Sequence, residues 1–328
     1  MIEKKSKGKI VFQLVDTNSD GKNDVLLFQP KIKANATKKF YLTYADEKQD
    51  ALATHCYSRF VPERKDDYAW ENNRVAFRTY GPVAQKMKED GVKGGTLSSG
   101  MDAWLKRVEY PIINKWYKKH TSGTGSYHKD TGEGLDNFHV GISRGVGGIA
   151  VKSDTNYQYS KNFISWKTIT NGPIRTSFIL NYATWDANGK QIKESKKISL
   201  DYGQNLSKFE INISGTNTIS AGLTLHKKDG NSTLNKNWMS YWELFDDSEL
   251  GQGLVTTDTY FINSEAYKTS KKEESNLYTN LKVVNNKVIY YAGFGWKKSN
   301  QFKNEQEWKA YLNNFSNRIS NPLLVKKL

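Results

Sequence analysis

Cysteine is almost missing from this chain: Cys56 is the only one in 328 residues, so no internal disulfide can form and thiol usage reports no compartment. It sits in a strand-like run and reads as a small buried hydrophobe rather than a nucleophile. No apolar run reaches the roughly 18 residues of a transmembrane helix, so no membrane span is expected. Met1 to Lys5 lacks the apolar stretch of a secretory signal, which leaves a removed leader open. There is no G-x-S-x-G elbow, no Walker loop and no Rossmann fingerprint after a strand. Serine esterase, nucleotide-dependent and dehydrogenase chemistries therefore lack support, and no organic cofactor is expected. No internal repeat argues for a propeller or solenoid. Acidic residues are the minority, 34 against 49 Lys and Arg, for a net charge of +15 and a pI near 9.5. Such a balance attracts an anionic partner, yet no zinc-finger spacing or RRM-like aromatic signature points to nucleic acid.

Aromatic residues are plentiful at 13%, nine of them Trp, and Trp and Tyr faces stack on sugar rings as readily as on bases. From residue 162 onward, strand-like runs follow one another with turn residues between: Phe163 to Thr170, Ile174 to Trp185, Lys190 to Asp201, Lys208 to Ser214 and Ile219 to His226. Trp238 to Phe245, Lys282 to Val284 and Val288 to Phe294 continue the series. Phe209, Ile211 and Ile213 alternate with Glu210 and Asn212, the period of a half-buried strand. Upstream, Lys9 to Val15, Asp24 to Gln29 and Phe40 to Ala45 read as short strands. Asn304 and Glu307 form a capping-box pattern opening a helix with Trp308, Leu312 and Phe315 on one face. The expected fold is all-β: one large antiparallel β-sandwich over residues 1–328, with a few short helices.

Two stretches concentrate reactive side chains. Thr54 to Pro82 carries His55, Arg59, Arg64, Trp70, Arg74, Arg78 and Tyr80 on what reads as two strands around a charged loop. Alternation places Arg74, Ala76, Arg78 and Tyr80 on one face. Six of the eight arginines fall between Arg59 and Arg144, whereas lysines are spread throughout. Guanidinium forks match carboxylate and sulfate, so this clustering points to an anionic ligand. After them, Ser98 and Ser99 read as caps for a segment with Leu105, Val108, Ile112 and Trp116 at near-helical spacing, kinked at Pro111, in which Trp104 is read as packing. The second stretch, Gly123 to Gly148, is long and glycine-rich yet holds Tyr127, His128, Lys129, Asp130, Glu133, Asp136, His139 and Arg144, the mark of a functional loop. His139, between Phe138 and Val140, reads as a strand residue. His128, Asp130 and Glu133 also offer a weak metal-ligand spacing.

Asp16, Asn18, Asp20 and Asp24 place oxygen ligands at positions 1, 3, 5 and 9 of a loop with glycine at position 6. This is the spacing of a structural Ca²⁺ loop, although the closing bidentate Glu is missing; the alternative is a metal-free Asx-rich hairpin turn.

The surplus of Arg, Tyr and His suits β-elimination on a uronic acid. Cations neutralise the carboxylate and acidify the C5 proton, a His or Tyr removes it, and a second acid protonates the oxygen leaving C4. The strings FVPERKDDYAWENNRVAFRTYGP, SGMDAWLKRVEYPIINKWY, SYHKDTGEGLD and NGPIRTSFILNY resemble a family of bacterial polysaccharide-utilisation proteins, originally of unknown function, that includes an ulvan-oligosaccharide dehydratase. The resemblance implies a supersandwich like those of galactose mutarotases and polysaccharide lyases. It also implies removal of water from a non-reducing-end glucuronic or iduronic acid linked to sulfated rhamnose, in a periplasmic or secreted setting. Roles within the site are assigned on chemistry: His128 or Tyr80 as base with the other as acid, and Arg78 and Arg107 holding the carboxylate. Arg59, Arg64, Trp70, Lys129, Glu133, Arg144 and His226 are assigned to the rest of an anionic sulfated oligosaccharide, with His55 a reserve beside His226. A polysaccharide lyase, an epimerase and a non-catalytic carbohydrate-binding protein use the same side chains and stay open.

Overall fold

A computed structural model of the chain describes residues 2–3, 10–42 and 53–326. Lys9 and the residues 43–45 of the expected upstream strands lie outside these. The fold is all-β, built from antiparallel sheets with three α-helices among the described residues.

The largest sheet has nine strands. Its spatial order runs Phe163–Thr170, Arg175–Tyr182, Lys190–Asp201, Leu206–Ser214, Lys287–Trp296, Ser248–Thr256, Trp238–Phe245 and Asn231–Asn235, with Trp185–Ala187 beside the third. In Leu206–Ser214 the alternation does what its period requires: Phe209, Ile211 and Ile213 are buried while Asn212 and Ser214 are exposed. Phe209 faces Ile198 on one side and Tyr290 on the other, so the apolar side chains of three strands fall in one row.

Two five-stranded sheets lie across from it. One runs Asn156–Gln158, Val146–Ser153, Thr218–Thr224, Asn276–Lys282, Phe261–Tyr267; the other runs Tyr57–Val61, Asp67–Glu71, Ala76–Thr79, Asp102–Lys106, Gly134–Leu135. A parallel bridge between Met101 and Gly145 joins them. One continuous core takes Tyr68, Trp70, Phe77 and Leu105 from the second, Ile149, Ala221 and Leu281 from the first, and Phe178, Ile198, Ile211, Leu254 and Phe294 from the nine-stranded sheet. This is a sandwich whose buried side chains come from both faces.

Several boundaries differ from the sequence reading. Residues 57–79 form three strands rather than two, because the tight Asn72 turn, whose side-chain oxygen accepts from the amides of Arg74 and Val75, separates Asp67–Glu71 from Ala76–Thr79. The expected helix after Ser99 is instead the strand Asp102–Lys106 followed by the helix Ile113–Thr121, since Pro111 ends one element and precedes the next. The strand expected at Lys282 lies earlier, at Asn276–Lys282. Helix Pro82–Glu89 starts on its proline, the first-turn position where a missing N–H is harmless. Helix Glu305–Ser320 opens on Asn304, whose side chain accepts from the Glu307 amide at 3.0 Å, and seats Trp308, Leu312 and Phe315 against the outer face of the nine-stranded sheet.

The Asp16 to Asp24 loop joins the strands Phe12–Val15 and Val25–Phe28. Asp16 accepts from the amides of Ser19, Asp20 and Gly21, Asp24 from Thr17, and Asn18 donates to Asp20. The side-chain oxygens thus close an Asx-rich turn, and no three carboxylate or imidazole groups converge on a cation position here, among the described residues.

The outer face of the Tyr57–Leu135 sheet carries charge indoors. Lys106 donates to Glu71 at 2.7 Å, and to the carbonyls of Asn72 and Tyr110, with both side chains of the ion pair fully buried. Glu71 also accepts from the amides of Ile112 and Ile113, so one carboxylate neutralises the lysine and closes the N-terminus of helix Ile113–Thr121. Lys106→Ala strands that carboxylate. Urea unfolding is expected to register a loss of about 3–5 kcal/mol, whereas a surface lysine such as Lys86 should change the midpoint little.

Candidate functional site

On the same face, one guanidinium is surrounded by acids. Arg78 and Asp102 are direct cross-strand partners, and their alternation with Ala76 and Trp104 turns both away from the core. Arg78 Nη2 lies 2.5 Å from Asp102 and 2.9 Å from Asp136, and Nε is 3.0 Å from Asp102. Nη1 lies 3.8 Å from Asp67 and 3.4 Å from the Tyr127 hydroxyl. Arg64 donates to that hydroxyl at 3.1 Å, and Tyr117 donates to Asp67 at 3.1 Å. Trp104 and Tyr127 close the guanidinium in with their rings.

Three carboxylates therefore share one buried guanidinium, with Arg64 beside them on the Tyr127 hydroxyl. Burial first, and then the neighbouring Asp136, hold Asp102 well above the ordinary carboxylate range; its Oδ1 has no partner among the described residues. Burial also raises Asp67, against the pull of Arg78 and Arg64, to about 6.

Tyr80 continues the row. Its hydroxyl is 3.4 Å from Arg78 and 3.3 Å from Asp102. Burial, then the adjacent Asp102, push the phenol well above its usual value, so at neutral pH it is a proton donor. His128 reaches the same place from the glycine-rich loop. Its Nδ1 is 2.6 Å from the Asp136 carbonyl, and a carbonyl can only accept, so Nδ1 carries the proton and neutral His128 keeps a lone pair on Nε2.

Glycines make this approach possible. Gly134 has a φ of +110° and lies so close to Leu105 that a Cβ would meet its carbonyl oxygen at 1.9 Å; Gly145, at +58°, meets Met101 in the same way. The chain is thereby pinned to the sheet at Gly134 and Gly145, and Asp136 to Gly141 between them line a cavity with Arg78 and Tyr80, while His128 enters it from the segment before Gly134. Arg78, Tyr80 and His128 line one cavity of about 400 Å³, together with Asp136, Lys88, His139 and Glu273.

The other expected site residues lie apart. Trp70 is fully buried, packs on Phe77 and Phe178 and donates to Ser207, so it cannot touch a ligand. Arg144 is likewise buried, its guanidinium on Ser99 and the carbonyls of Ile142 and Ile149, so it holds the loop rather than an anion. Arg107 pairs with Asp130 outside the cavity, and Arg59 with Glu63. Glu133 accepts from Lys115, Tyr110 and Trp116, and Lys129 is exposed beyond the lining. With His128 turned to Asp136, the spacing of His128, Asp130 and Glu133 does not assemble a metal set.

His226 stands behind the cavity wall. Nδ1 is 2.7 Å from Glu243, Nε2 is 3.2 Å from the His139 carbonyl, and Phe138 and Phe245 flank the ring. His55 lies elsewhere, against Tyr202. His139 is not in a strand: it crosses the cavity wall in extended loop, 2.6 Å from Glu273. Its apolar neighbours suggested a strand, while Gly141, with φ of +52°, was the signal that the chain turns away. Asp102 and Asp136 were legible only as the acids that a buried arginine requires.

Over residues 1–325 the sequence matches the family described as a domain of unknown function, DUF4861. The chain belongs to the DUF4861 family. Among its relatives is a protein of Formosa agariphila named uncharacterized protein P7, 58% identical over 324 residues, which are 98% of this chain and 82% of the relative. The DUF4861 match spans the Arg78 sheet, the glycine-rich loop and the strands that form the sandwich, so the cavity lies inside the family's own extent. No helix of the described residues is long and apolar enough to cross a membrane.

Asp67 gives the cluster a pH signature. Its folded value of about 6 exceeds the ordinary 3.8, so its contribution to stability is complete below about pH 4 and lost as pH rises through 6. Unfolding free energies of the wild type and Asp67→Asn, from urea titrations at a series of pH values, should therefore diverge in the variant's favour across that window, by about 3 kcal/mol at most, and run parallel above it.

Proposed function

We propose that this DUF4861 protein is a carbon–oxygen lyase that removes water from a uronic acid at the non-reducing end of a sulfated, ulvan-type oligosaccharide. The observation that carries the reading is the pair facing the cavity: an imidazole with a free Nε2 and a phenol held protonated. Base and acid are thus set apart by their surroundings, which is how one pocket runs both halves of an elimination.

His128 Nε2 takes the C5 proton. The C5–H electron pair forms the C4–C5 double bond, the C4–O bond breaks, and the Tyr80 hydroxyl protonates the departing oxygen so that water leaves. Asp102, 3.3 Å from Tyr80, keeps that phenol oriented and lies within proton-transfer reach. Arg78 is committed to Asp102, Asp136 and Asp67, which removes it from the carboxylate-holding role its residue type suggested. Lys88, which has no ion pair among the described residues, and His139 are the cavity groups suited to the substrate carboxylate. Withdrawing charge from that carboxylate acidifies C5. The basic balance of the chain supports an anionic glycan, and action on such a glycan fits a periplasmic or secreted location.

Incubation with uronate-ended oligosaccharides tests the reading. The product should be lighter by one water and show the ultraviolet absorbance of a conjugated C4–C5 double bond. A chain split in two would make the protein a polysaccharide lyase, and an isomer without the chromophore an epimerase. His128→Ala should lower the rate by roughly 10²–10⁴-fold, and Tyr80→Phe should lower it comparably; wild-type turnover in either removes that residue from the chemistry.

A further inference from the structure

A second cavity, of about 480 Å³, opens beside the first, and Ile142 lines both. The two also share the 273–274 turn: Glu273 lines one and Glu274 the other. The second cavity is built differently. Four tyrosines line it, and none of the acid–base residues of the first does. Tyr159 lies against the fully buried Arg144 guanidinium, 3.8 Å from the ring centre, so one face is braced by the protein interior and the other is left for the cavity. Tyr157 is stacked on Tyr278 at 4.0 Å and edged by Tyr267 at 5.0 Å, which fixes the adjoining wall. Lys271 stands exposed at the rim, 3.6 Å from Glu274, a loose pair that leaves its ammonium available to an anion.

Rigid aromatic faces suit a pyranose ring, whose apolar C–H face packs on them; of the charged groups in the lining, Asp186 and Glu274 are acceptors for sugar hydroxyls and Lys271 is the cation for a sulfate or carboxylate. We infer that this cavity is a second sugar subsite, holding a ring of the same anionic oligosaccharide beyond its first two. It rests on the reading that the first cavity takes the non-reducing-end uronate. With that end seated at His128 and Tyr80, the rest of the chain crosses the Ile142 ridge and reaches Tyr159 and Lys271. Binding energy gained there is remote from the reacting bond and sets length preference.

Calorimetric titration with a disaccharide and a tetrasaccharide of sulfated rhamnose and uronic acid separates the two claims. Wild-type protein should bind the tetrasaccharide about tenfold more tightly, equivalent to roughly 1.4 kcal/mol. Lys271→Ala, at an exposed position that leaves folding intact, and Tyr159→Ala should each reduce that advantage to about twofold or less, with disaccharide affinity unaltered. Equal wild-type affinity for the two lengths, or an undiminished advantage in Lys271→Ala, overturns the subsite. If the disaccharide is dehydrated while both lengths bind equally, the subsite fails and the reaction stands. If the length advantage depends on Lys271 but no water is lost, the subsite stands and the reaction fails.

Discussion

Arg78 sits where a cation is costly to bury, and the rest of the site follows from how that charge is compensated. Its guanidinium is planar, with donors on two edges, and it bridges acids that arrive from three separate segments: Asp67 and Asp102 on its neighbouring strands and Asp136 on the glycine-rich loop. A lysine, a point charge on a flexible stem, would not impose the same fork. Because Asp136 is held by its side chain to Arg78 and by its carbonyl to His128, the arginine that anchors the sheet also fixes the imidazole. Tyr80, two residues on along the same strand direction, is drawn into the same network.

The excess of carboxylate over guanidinium is part of this arrangement. With three acids gathered around Arg78, proton retention on Asp102 relieves the imbalance, and burial first of all keeps the Tyr80 phenol protonated, with any negative charge on its acid neighbours adding to it. The neighbouring pair of Lys106 and Glu71 solves a similar problem without leftover charge, since the helix N-terminus completes the carboxylate's hydrogen bonds. One face of a single sheet thus holds a fully compensated ion pair and an incompletely compensated cluster. The cavity forms at the second.

Much of the sandwich was legible in the sequence because strand-like runs bounded by turn residues are a local signal: Phe163–Thr170, Lys190–Asp201 and Trp238–Phe245 have the bounds their runs give. Strands rich in glycine or buried on both faces, such as Ser248–Thr256 and Val146–Ser153, show no period and were not legible. For the site, the two stretches that concentrate reactive residues do meet, with Arg78 and Tyr80 from one and His128 from the other around one cavity. Residue type misled where burial decides: Trp70 and Arg144 have the chemistry of ligand-binding residues but no surface to offer. Lys88 carried no local mark, since its place in the cavity depends on how helix Pro82–Glu89 packs rather than on any motif.

The account turns on a single lone pair, that of His128 Nε2, in a cavity also lined by a phenol that keeps its proton. Nitrogen-15 chemical shifts of labelled histidine, recorded with His128 neutral and assigned by comparison with His128→Ala, read the tautomer directly. The account expects a protonated Nδ1 and an unprotonated Nε2. A protonated Nε2 would contradict it, because the imidazole would then present a donor where a base is required.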